Sequence, residues 1–408
     1  MGKSALEGVK VVDLGVTVTA PLACKILGMY GATVVKVEGP PHTLRFDPLR
    51  MYPPFLDGIA GVNRSGSFAE YNGSTLGITI DLRQPRGMEL MCKLVTWCDV
   101  LVENFSAGTL KRMGLDYDEL VKLNPDIILA MTATAGETGP AAAQPGTGLQ
   151  LQSASGLTHL LGWPDRPPVG SPNAYTDYIG PWYLVIAIIA ALEHRMRTGK
   201  GQWIDMSQLE AAVTFLSPAV LDYTTNGRVL HAQGNSCPYA APHGAYRCQG
   251  DDRWCVIAVF TDEEWRAFCQ VIGNQELAHD PRFETILGRK ENEEELNRLV
   301  ESWTMGHTPE EVMAVVQEAG VPAGVVLNGR DLYEDPQLKL RNHFQNVFHP
   351  EMGTTYGSTS GLLLSKTPCR LGPPPCLGEH TEYVCREILE LSDKEFVELL
   401  NEGIFGAL

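Results

Sequence analysis

Short runs of β-branched and aliphatic residues alternate with helical stretches through the first third of the chain, and this rhythm restricts the fold more than any other feature. Val9 to Leu14 (VKVVDL) reads as a strand, Thr19, Ala20 and Pro21 open a helical stretch to Tyr30, Gly31 stops it, and Ala32 to Glu38 is the next strand. An irregular connection from Gly39 to Ser74, rich in Pro, Gly and aromatic residues, follows. The pattern then resumes with Ile78 to Leu82, a helix from Pro85 to Trp97, Asp99 to Phe105, a helix from Tyr117 to Leu123, and Ile127 to Thr134. Strands separated by helices pair in parallel, so the sheet is covered on both faces and ligands sit outside the carboxyl ends of its strands. The loop after Leu14 and the loop from Asn104 to Gly108 follow such ends, which makes both candidate site walls.

The turn of the first strand–helix–strand unit, GVTVTAP, lacks the G-x-G-x-x-G that lets a pyrophosphate approach the backbone, which disfavours a nicotinamide enzyme. A chain of 408 residues is too long for one ordinary core. Its texture changes near residue 226, so we expect a large domain over 1–225 and a smaller one over 226–328. The smaller one holds a strand at Trp254 to Val259 and amphipathic helices near Glu293 to Trp303 and Pro309 to Glu318; a last segment, 329–408, returns to the large domain. The net charge of −17, from 32 Lys and Arg against 49 Asp and Glu, argues against a nucleic-acid partner. Ten cysteines are scattered without a C-x-x-C pair or a Cys/His cluster, the pattern of reduced packing residues in a cytoplasmic protein without a bound metal. The N-terminus has no apolar signal core, and the Val185 to Leu192 run is far short of the roughly 20 residues a membrane span needs, so no membrane association is expected.

The stretch Ala174 to Ser207 carries the most suggestive carboxylate. Pro181 suits the first position of a helix and Gly180 its cap, and the residues from Trp182 to Leu192 are apolar on nearly every face, as in a helix buried in a core. Asp177 is then expected just outside the positive end of that helix, charged and poorly solvated, which is what a carboxylate nucleophile requires. An aspartate before a helix also serves as a plain cap. The residues alone leave both readings open.

Read in order, LEGVKVVDL with the following Ala20-Pro21, GATVVKVE, DVLVENFSAGTLKRMGLDYDEL, NPDII, QSASGL, TGKGQWIDMS after Asp177, AGVPAGVV and LGEHT resemble the class III CoA-transferase family. That family includes formyl-CoA:oxalate and carnitine CoA-transferases and α-methylacyl-CoA racemases. The resemblance implies an α/β fold, a large Rossmann-like domain with a mostly parallel sheet plus a smaller α+β domain. It also implies an interlocked dimer, either a homodimer or a heteromer with a related subunit. Asp177 matches the catalytic aspartate. Asn104, Phe105 and Gly108 match a segment lying along the CoA adenosine and phosphates, and Arg112 the basic residue after it. Val16, Thr17, Val18 and Thr19 match the loop that approaches the thioester, and Arg45 is either a phosphate contact or a solvated surface residue. Coenzyme A enters as substrate, with no further cofactor.

The departures from the family pattern carry information. Asn72 to Gly77 replace a frequent basic motif, and Asn235 is not followed by a glycine-rich flap. Gly146, Thr147 and Gly148 stand where the racemases have G-H-D, so two-base racemisation loses a partner. The small Thr147-Gly148 pair, with Tyr175 and Trp182 nearby in sequence, suggests an enlarged acyl pocket. The implied reaction moves CoA from a donor, succinyl-CoA, to a carboxylic acid such as the aryl-substituted dicarboxylate benzylsuccinate, through a mixed anhydride and an aspartyl-CoA thioester on Asp177. An acyl-CoA racemase or epimerase of the same fold, and a non-catalytic partner subunit, are the alternatives.

Overall fold

The alternating runs fold as β1 (Lys10–Asp13), β2 (Thr33–Glu38), β3 (Leu76–Thr79), β4 (Val100–Glu103), β5 (Ile128–Ala133) and β6 (Trp203–Ser207), joined in one sheet in the order β3-β2-β1-β4-β5-β6. Every pairing in it is parallel. The computed structural model describes residues 4–406; residues 1–3 and 407–408, the outer ends of the first and last expected segments, lie outside them.

Neighbouring residues of β1 face opposite sides, as strand geometry requires. Val12 joins a core with Leu90, Leu94 and Phe396, and Val11 joins one with Ala23, Leu184 and Ile188. The helix Thr19–Met29 that links β1 to β2 therefore covers one face, and the helix Pro85–Trp97 that links β3 to β4 covers the other. Between β1 and β4 the connections part, and the crevice above their carboxyl ends is left open.

The long apolar helix differs from expectation. It begins at Tyr175 after the N-cap Ala174, runs to Thr198, and contains Pro181 in its interior. Asp177 thus lies in its first turn rather than outside it. The Gly180-Pro181 start signal is overridden by packing: Thr176, Ile179 and Gly180 are all buried, and their burial holds the extra turn helical. The other correction concerns the helix surface. Leu184, Val185, Ile188 and Ala191 are core, but Trp182, Ile186 and Ile189 are 36%, 66% and 46% exposed in the single chain. At 24 residues the helix is long and apolar enough to cross a membrane by length and composition, well beyond the Val185 to Leu192 run; 44% of its most apolar window is buried in the fold. Gly199 ends it in the left-handed region, with φ 70°.

One compact unit holds this sheet and comprises the chain up to Thr158, Gly170–Val229 and the chain from Pro336. In that last part an antiparallel pair, β10 (Phe344–His349) with β11 (Gly353–Ser358), follows the three strands of the second unit given below. The terminal helix Asp393–Asn401 then packs Phe396 and Leu399 on the sheet. The second unit comprises His159–Val169 and Leu230–Asp335. Its sheet is antiparallel, β7 (His243–Arg247), β8 (Trp254–Ala258) and β9 (Ala323–Val325), and carries the helices Asp262–Val271, Glu293–Thr304 and Pro309–Glu318. The first of these helices is absent from the sequence reading, although Thr261 and Glu264 form a capping box at its start.

Candidate active site

A cavity of about 420 Å³ opens outside the carboxyl ends of β1, β4, β5 and β6. Val16, Thr17, Val18 and Thr19 follow β1, Asn104 and Phe105 follow β4, Thr134 follows β5, and Gln208 follows β6; all line it. Thr147, Gly148 and Asp177 complete the wall. Among the described residues of this wall, Asp177 is the one Asp, Glu, Lys, Arg or His.

The Asp177 carboxylate is unemployed by the fold. Its helix has no side-chain cap, and among the described residues no hydrogen bond or ion pair reaches its oxygens. The plain capping role is therefore not what places it there. Burial pushes its carboxyl up from the ordinary range to about 6. It is still largely ionised at neutral pH, with little solvation to lose before it attacks.

Gly148 makes room for it. A Cβ on that residue would stand 2.8 Å from the Asp177 carboxylate carbon and 2.4 Å from Ala174 Cβ, closer than packed atoms come. The glycine thus gives the aspartate its seat, and it lines the cavity as well. Tyr175 and Trp182 are not in the wall of this cavity; in the single chain they are 47% and 36% exposed. The acyl pocket expected around them does not coincide with this cavity of the single chain.

The loop after β1 is held by buried charge. Thr17 adopts a φ of 62°, a left-handed conformation that a β-branched residue takes at a cost of about 1–3 kcal/mol. Its N–H donates to both Asp47 carboxylate oxygens at 3.1 Å. Lys36 stands 3.4 Å from Asp47 and 3.5 Å from Asp13, and its Nζ donates to Gly15 O at 2.8 Å. The Asp47 N–H in turn donates to Glu38, which grips Arg50 through bonds of 2.9 and 2.7 Å. Taking one partner from such a buried pair costs about 3–5 kcal/mol, more than the strain at Thr17, so the network dictates the loop. Asn104 fastens the same loop from the other side: Oδ1 accepts the Val16 N–H at 2.8 Å and Nδ2 donates to Val16 O at 2.8 Å. Both ends of its amide thus take part in positioning the loop.

Phe105, Val16 and Pro48 are shared with a second cavity of about 460 Å³. Arg45 lines that cavity with no partner for its guanidinium among the described residues, beside Arg83, which pairs with Asp81 at 2.8 Å. Gly108 and Arg112 line neither cavity. The Gly108 N–H donates to Glu137 at 3.0 Å, and the exposed Arg112 donates to Thr109 Oγ1 at 2.8 Å on the rim of the second cavity. Among the described residues no group of three His, Cys, Asp or Glu stands close enough to hold a metal ion.

The family model of CoA-transferase family III matches residues 6–381. The chain belongs to that family. A Chloroflexus aurantiacus member named succinyl-CoA–D-citramalate CoA-transferase is 31% identical over 97% of this chain and 96% of its own length. A Mycobacterium tuberculosis protein named as a probable CoA-transferase is 34% identical over the whole chain, which spans only 51% of that relative. Among solved structures, a CAIB/BAIF family protein from Brucella suis superposes with a TM-score of 0.87 at 32% identity, covering 95% of this chain and all of the other.

Against this family III background, two polar residues of the site escaped the sequence reading. Glu103, the last residue of β4, accepts the Phe105 N–H at 2.6 Å and is held up near 8 by burial. Gln208 follows Ser207 at the end of β6, and the same rule that singled out the loops after β1 and β4 points to it.

Two outcomes follow from the seating of Asp177. The acid limb of kcat/KM should fall about tenfold per pH unit below about 6 and level off above it; a limb near pH 4, the ordinary carboxylate range, would contradict it. Gly148→Ala should displace the carboxylate and slow single-turnover attack on acyl-CoA about 10–100-fold. A rate within twofold of the parent protein would show that the contact is slack.

Proposed function

We propose that the protein transfers CoA from a donor acyl-CoA to a carboxylic acid, with Asp177 as the nucleophile. One observation carries the reading: among the described residues, an ionisable carboxylate with no bond to the fold is the single charged group in the wall of a cavity at the sheet's switch point. Asp177 attacks the thioester carbonyl and the CoA thiolate leaves, which gives a mixed anhydride. The thiolate then attacks the Asp177 carbonyl, the donor acid departs with one of the aspartate's oxygens, and an aspartyl-CoA thioester remains. The acceptor carboxylate repeats these steps in reverse and returns an oxygen to Asp177.

The donor we propose is succinyl-CoA, named for the Chloroflexus relative. The acceptor is a small carboxylic acid; Tyr52 and Phe105 are the aromatic residues left in the wall for an aryl group such as that of benzylsuccinate. The second cavity, with the unpaired Arg45, suits the CoA phosphates. Racemisation is the weaker reading, because the wall offers no second Asp, Glu, Lys or His as a base among the described residues. Succinyl-CoA mixed with a panel of acids should yield new acyl-CoA masses, and Asp177→Ala should abolish them while the protein stays folded. Appreciable turnover by Asp177→Ala would refute the mechanism.

We further propose that two chains associate, identical or related. Trp182, Ile186 and Ile189 expose the apolar face of their helix, and the helix Ser217–Asn226 has no buried residue although it presents Leu221 and Tyr223. Apolar faces of that extent mark association surfaces. Sedimentation should give the mass of at least two chains; a folded monomer at micromolar concentration would contradict it.

A further inference from the structure

Resting on the CoA-transfer reading, we infer that the Gln208 side-chain amide donates a hydrogen bond to the oxyanion that forms on the acyl carbon when Asp177 attacks.

Gln208 is 6% exposed, lines the Asp177 cavity, and its amide has no hydrogen-bond partner among the described residues. Its Oε1 is closed off from solvent without any donor, whereas Nε2 is not shut away. The Nε2 end, which meets no acceptor among the described residues, is the one with hydrogen bonds left to give. The side chain also stands in the right quarter of the cavity. A Cβ on Gly180, one turn after Asp177 in the same helix, would be 3.5 Å from Gln208 Cγ and 3.0 Å from Thr19 Cγ2. Gln208 thus approaches the Asp177 helix next to the loop that follows β1.

Burying an amide with its carbonyl unmet is unfavourable, and an apolar side chain of equal volume would pack there without that loss. What the amide adds is an N–H. As a carboxylate oxygen of Asp177 bonds to the thioester carbon, the carbonyl π pair moves onto its oxygen. That oxygen then needs donors until the carbonyl re-forms and the C–S bond breaks with release of thiolate. The wall holds no cation to supply them among the described residues. An uncharged donor in a poorly solvated cavity is suited to that role.

The test uses Gln208→Met, which keeps volume and removes the donor. In single turnovers with saturating succinyl-CoA, the rate of aspartyl-CoA formation should fall about 100-fold or more, with affinity for succinyl-CoA changed by less than about threefold. Unchanged rate, or a loss confined to affinity, would overturn the inference. Isotope-edited infrared spectra of [1-13C]butyryl-CoA bound to Asp177→Asn supply a second readout that needs no turnover. The thioester C=O stretch should lie below its value in solution and move back in Asp177→Asn/Gln208→Met. The same stretch in both proteins would overturn the inference, even if Gln208→Met alone proved unstable. Failure of transfer with every acid tested, with the infrared shift intact, would instead count against the transferase reading.

Discussion

β1 and β4 lie side by side, yet the chain leaves them toward opposite faces of the sheet, so no connection passes over their carboxyl ends. Everything at the site fills that gap. The loop from Val16 to Thr19 comes from one strand and Asn104-Phe105 from its neighbour, and the paired bonds between Asn104 and Val16 tie the two together. The helix Tyr175–Thr198 packs on the face of the sheet that Val11 occupies, through Leu184 and Ile188, and its first turn, with Asp177, reaches the cavity wall.

The site divides its electrostatics between two places. Lys36 and Arg50 are buried with Asp13, Asp47 and Glu38 and paired to them, and the network holds Thr17 in a conformation it would otherwise avoid. Asp177 is the opposite case, with burial and no compensation. A paired cluster gives rigidity, and an unpaired carboxylate gives reactivity. Placing both within a few residues of one loop joins a fixed wall to a reactive group.

The sheet was legible because strand runs such as VKVVDL and ATVVKVE are short, β-branched and bounded by turn residues, signals that act locally. The loops after β1 and β4 were legible as cavity walls by the same logic. The start of the Tyr175–Thr198 helix was not, because Gly180-Pro181 is a strong local stop and only tertiary burial of Thr176 and Ile179 overrides it. Tyr175 and Trp182, expected in an acyl pocket, stand outside the wall of the Asp177 cavity. The bonds of Asn104 to Val16 were not legible, because the two residues lie 88 apart in sequence. Asp47 and Lys36 were invisible as loop supports for the same reason: ion pairs between distant segments leave no periodicity.

The central claim is that Asp177 carries the acyl exchange through its own carboxylate. Transfer run to many turnovers with an acceptor acid labelled with 18O in its carboxylate, followed by mass analysis of the peptide containing residue 177, tests it directly. The account predicts that the label enters the Asp177 side chain. A peptide of unchanged mass after many turnovers would show that the acids exchange CoA without passing through the aspartate.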